Sequence, residues 1–272
     1  MFPAQPFYSV IRRTPGKFQA RQLILFQTAL SADHGLTVLD VRLLSDGYFT
    51  LDKSFLVFGK YQGIKYKAAL KPLLIRTEKE TILVDTGIGT LPPNYQKHHE
   101  VIRKEGEELR SSLKHAGLNP ADITLVINTH LHFDHCGNNQ LFPKARFLVQ
   151  TDEIRYAYFP DRFMKVSYLR DFFDHDFDYI PLKGRYEVED GVEIIPTPGH
   201  TVGHQSLLVN WKGRNIVYAG DAAPLPENIE KRNITGMIFN SGQGLESIDA
   251  LRRIENPIYI YSHDNEQLAL NI

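Results

Sequence analysis

The chain reads Thr129-His130-Leu131-His132-Phe133-Asp134-His135 directly after an apolar run at 123–127, and no other stretch constrains its chemistry as strongly. The apolar run predicts a buried strand. Because alternate residues of extended chain point the same way, His130 and His132 are expected to share a face. Asp134 and His135 lie where the chain turns, so they can face the same cavity from another side. Imidazole nitrogen and carboxylate oxygen bind divalent metals, so this loop offers four candidate ligands.

Three later segments place a histidine or an aspartate in the same situation. They are Pro196-Thr197-Pro198-Gly199-His200-Thr201, Gly220-Asp221 and Ser262-His263-Asp264. Each directly follows a run that predicts a strand, at 192–195, 216–219 and 258–261 respectively. Ligands of open α/β sheets collect at the carboxyl ends of the strands, so we expect the four segments to converge. Together they supply five histidines and two aspartates, enough for two metal ions and too many for one.

The remaining pattern predicts an α/β (α+β) fold in which two sheets are covered by helices, an αββα layering. Further strands are predicted at 38–44, 147–149 and 206–209, with a hairpin at 72–76 and 81–84, and helices at 99–116, 151–159, 161–174 and 245–254. The main domain is predicted to span 38–272. Residues 1–37, proline-rich at first and with a short predicted helix at 21–30, are expected to form an N-terminal arm packed on that domain.

Composition narrows the class of protein. The chain has 272 residues, and 31 lysines and arginines nearly balance 32 acidic residues, which disfavours nucleic acid as a partner. No apolar run is long enough for a membrane helix, and the start does not resemble a secretory signal, so a cytoplasmic location is expected. The single cysteine, Cys136, excludes a disulfide framework and is expected to be buried. The oligomeric state is left open between monomer and homodimer.

The order of these motifs, beginning with Asp85-Thr86-Gly87, resembles the metallo-β-lactamase superfamily from about Val38 to the end. The resemblance implies a four-layer αββα sandwich of two mixed β-sheets flanked by helices. It assigns the first metal to His130, His132 and His200, and the second to Asp134, His135 and His263, with Asp221 bridging the two. Asp85 resembles the family's aspartate that orients ligand histidines through their other ring nitrogen. His204, four residues after His200, is expected to support the ligands without binding a metal.

Flanking residues are similar to those of the N-acyl homoserine lactone lactonases. The matching stretches are 46–54, 129–135, 197–200 with 203–208, 221–223 with 227–228, and 263–264 with 266–267. The likeness implies a hydrolase that opens a lactone ring with two divalent metals, zinc by default, with iron, manganese or cobalt as alternatives. Asp134 is expected to shuttle a proton and Phe133 to contact the small-molecule substrate. One departure is Pro224, because lactonases commonly carry there a tyrosine that contacts the substrate carbonyl.

Two alternatives follow from these observations. Without a hydroxyl at 224, another ester, a thioester or an organophosphate becomes a competing substrate. A mononuclear iron oxygenase of the same superfamily would use only His130, His132 and His200 or a similar subset.

Nine Phe and Tyr residues at 151–180 are expected to be mostly core, with one or two reaching the substrate pocket. His34, His98, His99, His115 and His175 are expected at the surface.

Overall fold

A computed structural model describes residues 38–267. The predicted arm at 1–37, its helix at 21–30 and His34 lie outside the described residues. The strands are β1 (Val38–Leu43), β2 (Tyr48–Asp52), β3 (Lys65–Ala69), β4 (Leu73–Thr77), β5 (Thr81–Val84), β6 (Val101–Ile102), β7 (Leu125–Ile127), β8 (Arg146–Gln150), β9 (Asp178–Leu182), β10 (Tyr186–Glu189), β11 (Val192–Pro196), β12 (Gln205–Trp211), β13 (Arg214–Tyr218) and β14 (Pro257–Ile260). The helices are α1 (Pro93–Gln96), α2 (Leu109–His115), α3 (Phe133–Cys136), α4 (Thr151–Tyr158), α5 (Arg170–Phe173), α6 (Pro226–Glu230) and α7 (Ser241–Arg252).

Two large mixed sheets form the centre of the domain. One has the order β1-β4-β5-β7-β8-β9, antiparallel up to β5 and parallel from β5 to β9. The other has the order β10-β11-β12-β13-β14, in which β13 and β14 are parallel and the remaining pairs antiparallel. Buried side chains from both sheets, such as Ile75 and Ile127 from the first and Leu207 and Ile216 from the second, share one core. The sheets therefore pack face to face.

Helices cover the outer face of each sheet. Leu109 and Leu113 of α2 pack with Leu74 and Leu83 on the first sheet, while Ile248 and Leu251 of α7 pack with Val217 on the second. Successive residues of a central strand thus point to opposite faces of its sheet, and both faces are buried. This explains the continuous apolar runs in the sequence. The predicted αββα sandwich is confirmed. Within residues 38–267, no helix has the length and apolar character required to cross a membrane.

Several elements differ from the sequence-based predictions. The helix predicted at 99–116 is confined to Leu109–His115, because Val101 and Ile102 pair with β2 and the backbone at Gly106 has φ of 87°. The helix predicted at 161–174 is reduced to one turn at Arg170–Phe173 and a 3₁₀ turn at Lys165–Ser167. A third sheet of order β3-β2-β6 was not predicted. Its short strands are fixed by tertiary pairing, which overrides local preference.

Candidate metal centre

The chain places His130, His132 and His200 together at the carboxyl ends of strands from both sheets. Nε2 of His200 lies 3.2 Å from Nε2 of His130 and 3.0 Å from Nδ1 of His132. The first two histidines follow β7 and the third follows β11. All three side chains are buried. The turn that carries His200 needs glycine at 199, where φ is 136° and a Cβ would lie 2.4 Å from Gly244 of α7.

The hydrogen bonds around two of these rings fix where their protons lie. Nδ1 of His200 donates to the carbonyl of Met237 at 2.7 Å, so its Nε2 carries a lone pair. The Thr129 hydroxyl donates to Asp85 at 2.8 Å and accepts from Nδ1 of His130 at 3.0 Å, so Nε2 of His130 also carries a lone pair. Burial lowers the pKa of His130 and His132 well below the usual value and also lowers that of His200, which keeps the rings neutral. Facing lone pairs repel each other, and a cation between them removes that repulsion.

A second group contains Asp134, His135, His263 and Asp221. Oδ1 of Asp221 lies 3.2 Å from Nε2 of His135 and 3.4 Å from Nε2 of His263, and Oδ2 of Asp134 lies 3.4 Å from the same His263 atom. The other oxygen of Asp221 lies 3.6 Å from Nε2 of His200, so this carboxylate stands between the two groups. Nε2 of His135 is buried and has no hydrogen-bond partner within residues 38–267. These donors fit two divalent cations, one in each group.

Electrostatics in the second group favours ionised carboxylates. Burial alone would raise the pKa of Asp221, but His263 and His135 outweigh it and hold that pKa well below its usual value. Burial would likewise lower the pKa of His135, whereas Asp221, Asp85 and Asp134 raise it well above the usual value. In the metal-free protein, the rings of His135 and His263 therefore each lie beside an ionised carboxylate.

Asp85 lies directly beneath both groups, at the end of β5. Its Oδ2 accepts from Nδ1 of His135 at 2.8 Å, and its Oδ1 accepts from the Thr129 amide at 2.7 Å. Through the Thr129 hydroxyl it also reaches His130. The backbone at Asp85 is left-handed, with φ of 56°, a conformation that Asp and Asn tolerate better than most residues. This geometry lets one carboxylate fix the proton positions of two candidate ligands.

His204 faces away from the convergent nitrogens. Its Nε2 accepts the backbone N–H of Asp221 at 2.9 Å, and its Nδ1 lies 2.8 Å from the Thr197 hydroxyl. Burial, reinforced by the neighbouring His200, lowers the pKa of His204 to about 3. The ring is therefore a neutral acceptor that anchors the backbone at Asp221.

A cavity of about 640 Å³ opens beside the second group. Its walls contain the apolar residues Phe49, Leu51, Phe55, Leu56, Phe133 and Met237, and Asp134 and His263 face it as well. The Phe133 ring packs edge-on against Phe49 at 6.3 Å and Tyr95 at 5.7 Å. The apolar wall at 49–56 was not anticipated from the sequence, since only its polar neighbours drew attention. The cavity resembles a small-molecule site in size and lining.

Some sequence-based expectations about this cavity are wrong. None of the nine aromatic residues at 151–180 lines it, and Tyr168 packs instead against the ring of His132 at 4.7 Å. His99 was expected at the surface but is half-buried in the cavity wall, 5.3 Å from the Phe133 ring. Exposed His98 also lines the cavity. Pro224 offers its carbonyl to the backbone N–H of His263 at 3.1 Å and provides no hydroxyl.

Sequence reasoning also missed Glu153, which is fully buried at the start of α4. It accepts hydrogen bonds from the loops that carry His130, His132 and His200. The sequence did offer one indication of Glu153. The helix α4 directly follows β8, so Glu153 lies near the carboxyl end of a strand, as the candidate ligands do.

Comparison with known proteins agrees with this geometry. The profile of the metallo-beta-lactamase superfamily matches residues 72–263, which include every candidate ligand. An N-acyl homoserine lactonase of Bacillus cereus is 32% identical over 249 residues, covering 85% of this chain and 96% of that protein. One from Bacillus sp is 35% identical over 207 residues, covering 71% of this chain and 80% of that protein.

A solved structure gives the same result for the fold. It is an N-acyl homoserine lactone hydrolase with the product N-hexanoyl-L-homoserine bound at its catalytic metal centre. It superposes with a TM-score of 0.76 at 29% identity, covering 85% of this chain and 96% of the other. The chain therefore belongs to the metallo-β-lactamase superfamily and, within it, to the N-acyl homoserine lactonase family.

Proposed function

We propose that this protein is a dinuclear metal hydrolase that opens the lactone ring of N-acyl homoserine lactones. The observation that carries the proposal is the position of Asp221 between two groups of metal-binding side chains, at the base of an apolar cavity. The product-bound relative supports the substrate class. Ring opening needs water, an activated carbonyl and a proton for the leaving oxygen, and this site offers a place for each.

We assign the first metal to His130, His132 and His200, and the second to Asp134, His135 and His263, with Asp221 shared. Zinc is the proposed metal because nitrogen and carboxylate donors suit it, and iron, manganese and cobalt are the alternatives. When bound, two such ions act as Lewis acids and lower the pKa of water. The neutral histidines of the first group and ionised Asp221 hold these donors ready for a metal ion.

Asp134 is the proposed proton carrier. Its side chain is only partly buried, so it contacts the open cavity while its Oδ2 lies 3.4 Å from Nε2 of His263. A carboxylate in that position can take a proton from the attacking water and deliver it to the oxygen that leaves when the ring opens. No covalent intermediate with the protein is needed.

The cavity wall accounts for an acyl chain. Phe49, Leu51, Phe55 and Phe133 offer apolar contact beyond the metal groups. Within this wall, Nδ1 of His99 lies 3.2 Å from the carbonyl oxygen of Thr50 and can donate to it. Its Nε2, which is then an acceptor without a partner among residues 38–267, suits an amide N–H such as that of an acyl homoserine lactone.

The test is a pH-stat assay of lactones with different acyl lengths, using paraoxon and a simple aryl ester as controls. We expect hydrolysis of the lactones with a clear dependence on acyl length. Asp134→Asn should lower turnover by about 100-fold or more while most of the metal stays bound. Hydrolysis without acyl-length dependence would contradict the proposed substrate, and a fully active Asp134→Asn would contradict the proposed role of Asp134.

One observation favours a second candidate within hydrolases. Pro224 cannot donate a hydrogen bond to a substrate carbonyl, so another ester, a thioester or a phosphotriester would lose nothing there relative to a lactone. Faster turnover of paraoxon than of any lactone would favour this alternative. Metal analysis tests the iron oxygenase, which requires one iron per chain, whereas the second donor group argues for two metals.

We also propose a cytoplasmic location, because the single cysteine is free and buried, as suits a reducing compartment. The arm at 1–37 and a monomeric or homodimeric state remain predictions. Light scattering of the full chain, compared with a chain lacking residues 1–37, tests both.

A further inference from the structure

Glu153 is a fully buried carboxylate that touches none of the candidate ligands directly. Its Oε1 accepts the Leu131 amide and the Tyr168 hydroxyl, each at 3.0 Å. Its Oε2 accepts the Thr201 hydroxyl at 2.6 Å and the Gly203 amide at 3.1 Å. Four donors therefore saturate the carboxylate. No lysine or arginine among residues 38–267 forms an ion pair with it, so its surroundings are built from hydrogen bonds alone.

Three of these four donors lie next to a candidate metal ligand, in the sequence or in space. Leu131 lies between His130 and His132, and Thr201 directly follows His200. The Tyr168 ring packs against the His132 ring at 4.7 Å with an interplanar angle of 74°. One carboxylate thus reaches all three histidines of the first group through a single intervening residue.

The loop at 201–203 is also pressed against the helix that carries Glu153. Gly203 approaches so closely that a Cβ there would lie 2.4 Å from the backbone nitrogen of Glu153. Glycine is required at this point by the close approach. The contact joins β11 and its loop, from one sheet, to α4, which follows β8 of the other.

We propose that Glu153 is a positioning residue that holds the loops of His130, His132 and His200 at the spacing a metal ion needs. The inference rests on the proposed metal site. Two of these histidines come from one sheet and the third from the other, and the facing Nε2 lone pairs of His130 and His200 repel in the absence of a cation. A saturated carboxylate that ties both loops to α4 offsets this repulsion before binding. Ligands fixed in advance bind a metal with less loss of conformational freedom.

The direct test is Glu153→Gln. The amide keeps one accepting oxygen, but its NH₂ group would face two donors, so two of the four hydrogen bonds are lost. Apo protein is reloaded with zinc in competition with a chromogenic chelator, a measurement that requires no substrate. We expect one of the two zinc ions, the one held by the three histidines, to bind about 10- to 100-fold more weakly. In the apo protein, the Leu131 and Gly203 amides should exchange faster with deuterium.

Asp46→Asn is the matched control. Asp46 is also a buried carboxylate with several donors, namely the amides of Ile88 and Leu109, the Arg103 guanidinium and the Asn138 side chain, but it contacts neither the loop of His130 and His132 nor that of His200. We expect this variant to melt at a lower temperature and to bind zinc with wild-type affinity. Equal losses of zinc affinity in both variants would overturn the proposal, because the effect would then follow general stability.

Two milder variants cover the case in which Glu153→Gln does not fold. Tyr168→Phe and Thr201→Val each remove one donor and should each weaken zinc binding by about threefold or more. Wild-type affinity in a folded Glu153→Gln, or in both milder variants, overturns the proposal. If the wild-type protein binds two zinc ions and hydrolyses no lactone, the proposed function fails while this test of Glu153 still stands.

Discussion

Asp85→Asn is the substitution whose effect the structure defines most narrowly. Asparagine has the same shape as aspartate and also tolerates the left-handed backbone at this position, where φ is 56°. The change therefore adds no backbone strain and removes only a charge and acceptor capacity. The carboxylate accepts from His135, from the amide and hydroxyl of Thr129 and, at 3.3 Å, from the Tyr218 hydroxyl.

The expected loss of stability in Asp85→Asn follows from the hydrogen-bond donors that lose their acceptor. An amide has one accepting oxygen, so its NH₂ group must face either the donors at Thr129 or the Nδ1 proton of His135. Losing one charge-assisted hydrogen bond and leaving one buried donor unpaired costs about 2–4 kcal/mol in the free energy of unfolding of the apo protein. His135 also loses the partner that fixes its proton on Nδ1, so we expect zinc affinity to fall by about 10- to 100-fold.

Urea denaturation of the apo protein and zinc competition measure the two effects separately. Asp249→Asn is a suitable control, since Asp249 is paired with Arg232 on the exposed surface, where such pairs contribute little to stability. If Asp85→Asn had wild-type apo stability and wild-type zinc affinity, the hydrogen bonds to Thr129 and His135 would carry no energy, which contradicts this prediction.

Three further changes give distinct readouts. Removing metal with a chelator should lower the melting temperature by about 5–10 °C, because an ion at 100 times its Kd stabilises the folded state by about 2.7 kcal/mol; an unchanged melting curve would contradict two bound ions. Phe133→Ala should raise KM about tenfold for long-chain lactones and less for short ones, since the ring lines the cavity; equal changes in KM would mean that Phe133 does not contact the chain. Burial lowers the pKa of Lys71 to about 8, although Asp264 opposes this shift. Between about pH 8 and 10.5 the unfolded chain therefore binds more protons than the folded protein, so the free energy of unfolding rises with pH. The stability gained by Lys71→Met should thus shrink by about 2 kcal/mol from pH 7 to pH 10 in urea denaturation, and a constant difference would argue against a buried, destabilised ammonium.

The central strands and the convergence of the ligand segments could be predicted from the sequence for a common reason. Strands such as β7 and β13 are buried on both faces, so their apolar runs are unbroken and end abruptly at polar turns. β7 belongs to the first sheet and β13 to the second, and their carboxyl ends open at the same edge of the sandwich, which brings His130 and Asp221 to one place. Local pattern and tertiary arrangement agree at these positions.

The cavity wall could not be predicted because its residues carry no such pattern. Phe49 and Leu51 belong to β2, whose pairing with β3 and β6 is set by partners distant in the sequence. His99 lies in a segment whose apolar spacing suggested a helix, and only pairing with β2 brings its ring to Phe133. Glu153 escaped notice for a related reason, since its four donors come from three separate segments.

The charges at the centre agree with the distances in calling for cations. Asp85, Asp134 and Asp221 are three carboxylates at the site, and within residues 38–267 their ion pairs are all with histidines. Carboxylates in so buried a region are costly unless positive charge lies close by. In the metal-free protein the raised pKa values of His135 and His263 let these two rings supply that charge as imidazolium ions. A histidine that binds a metal gives up this proton, so a divalent ion in the second group would replace the positive charge that the two rings lose.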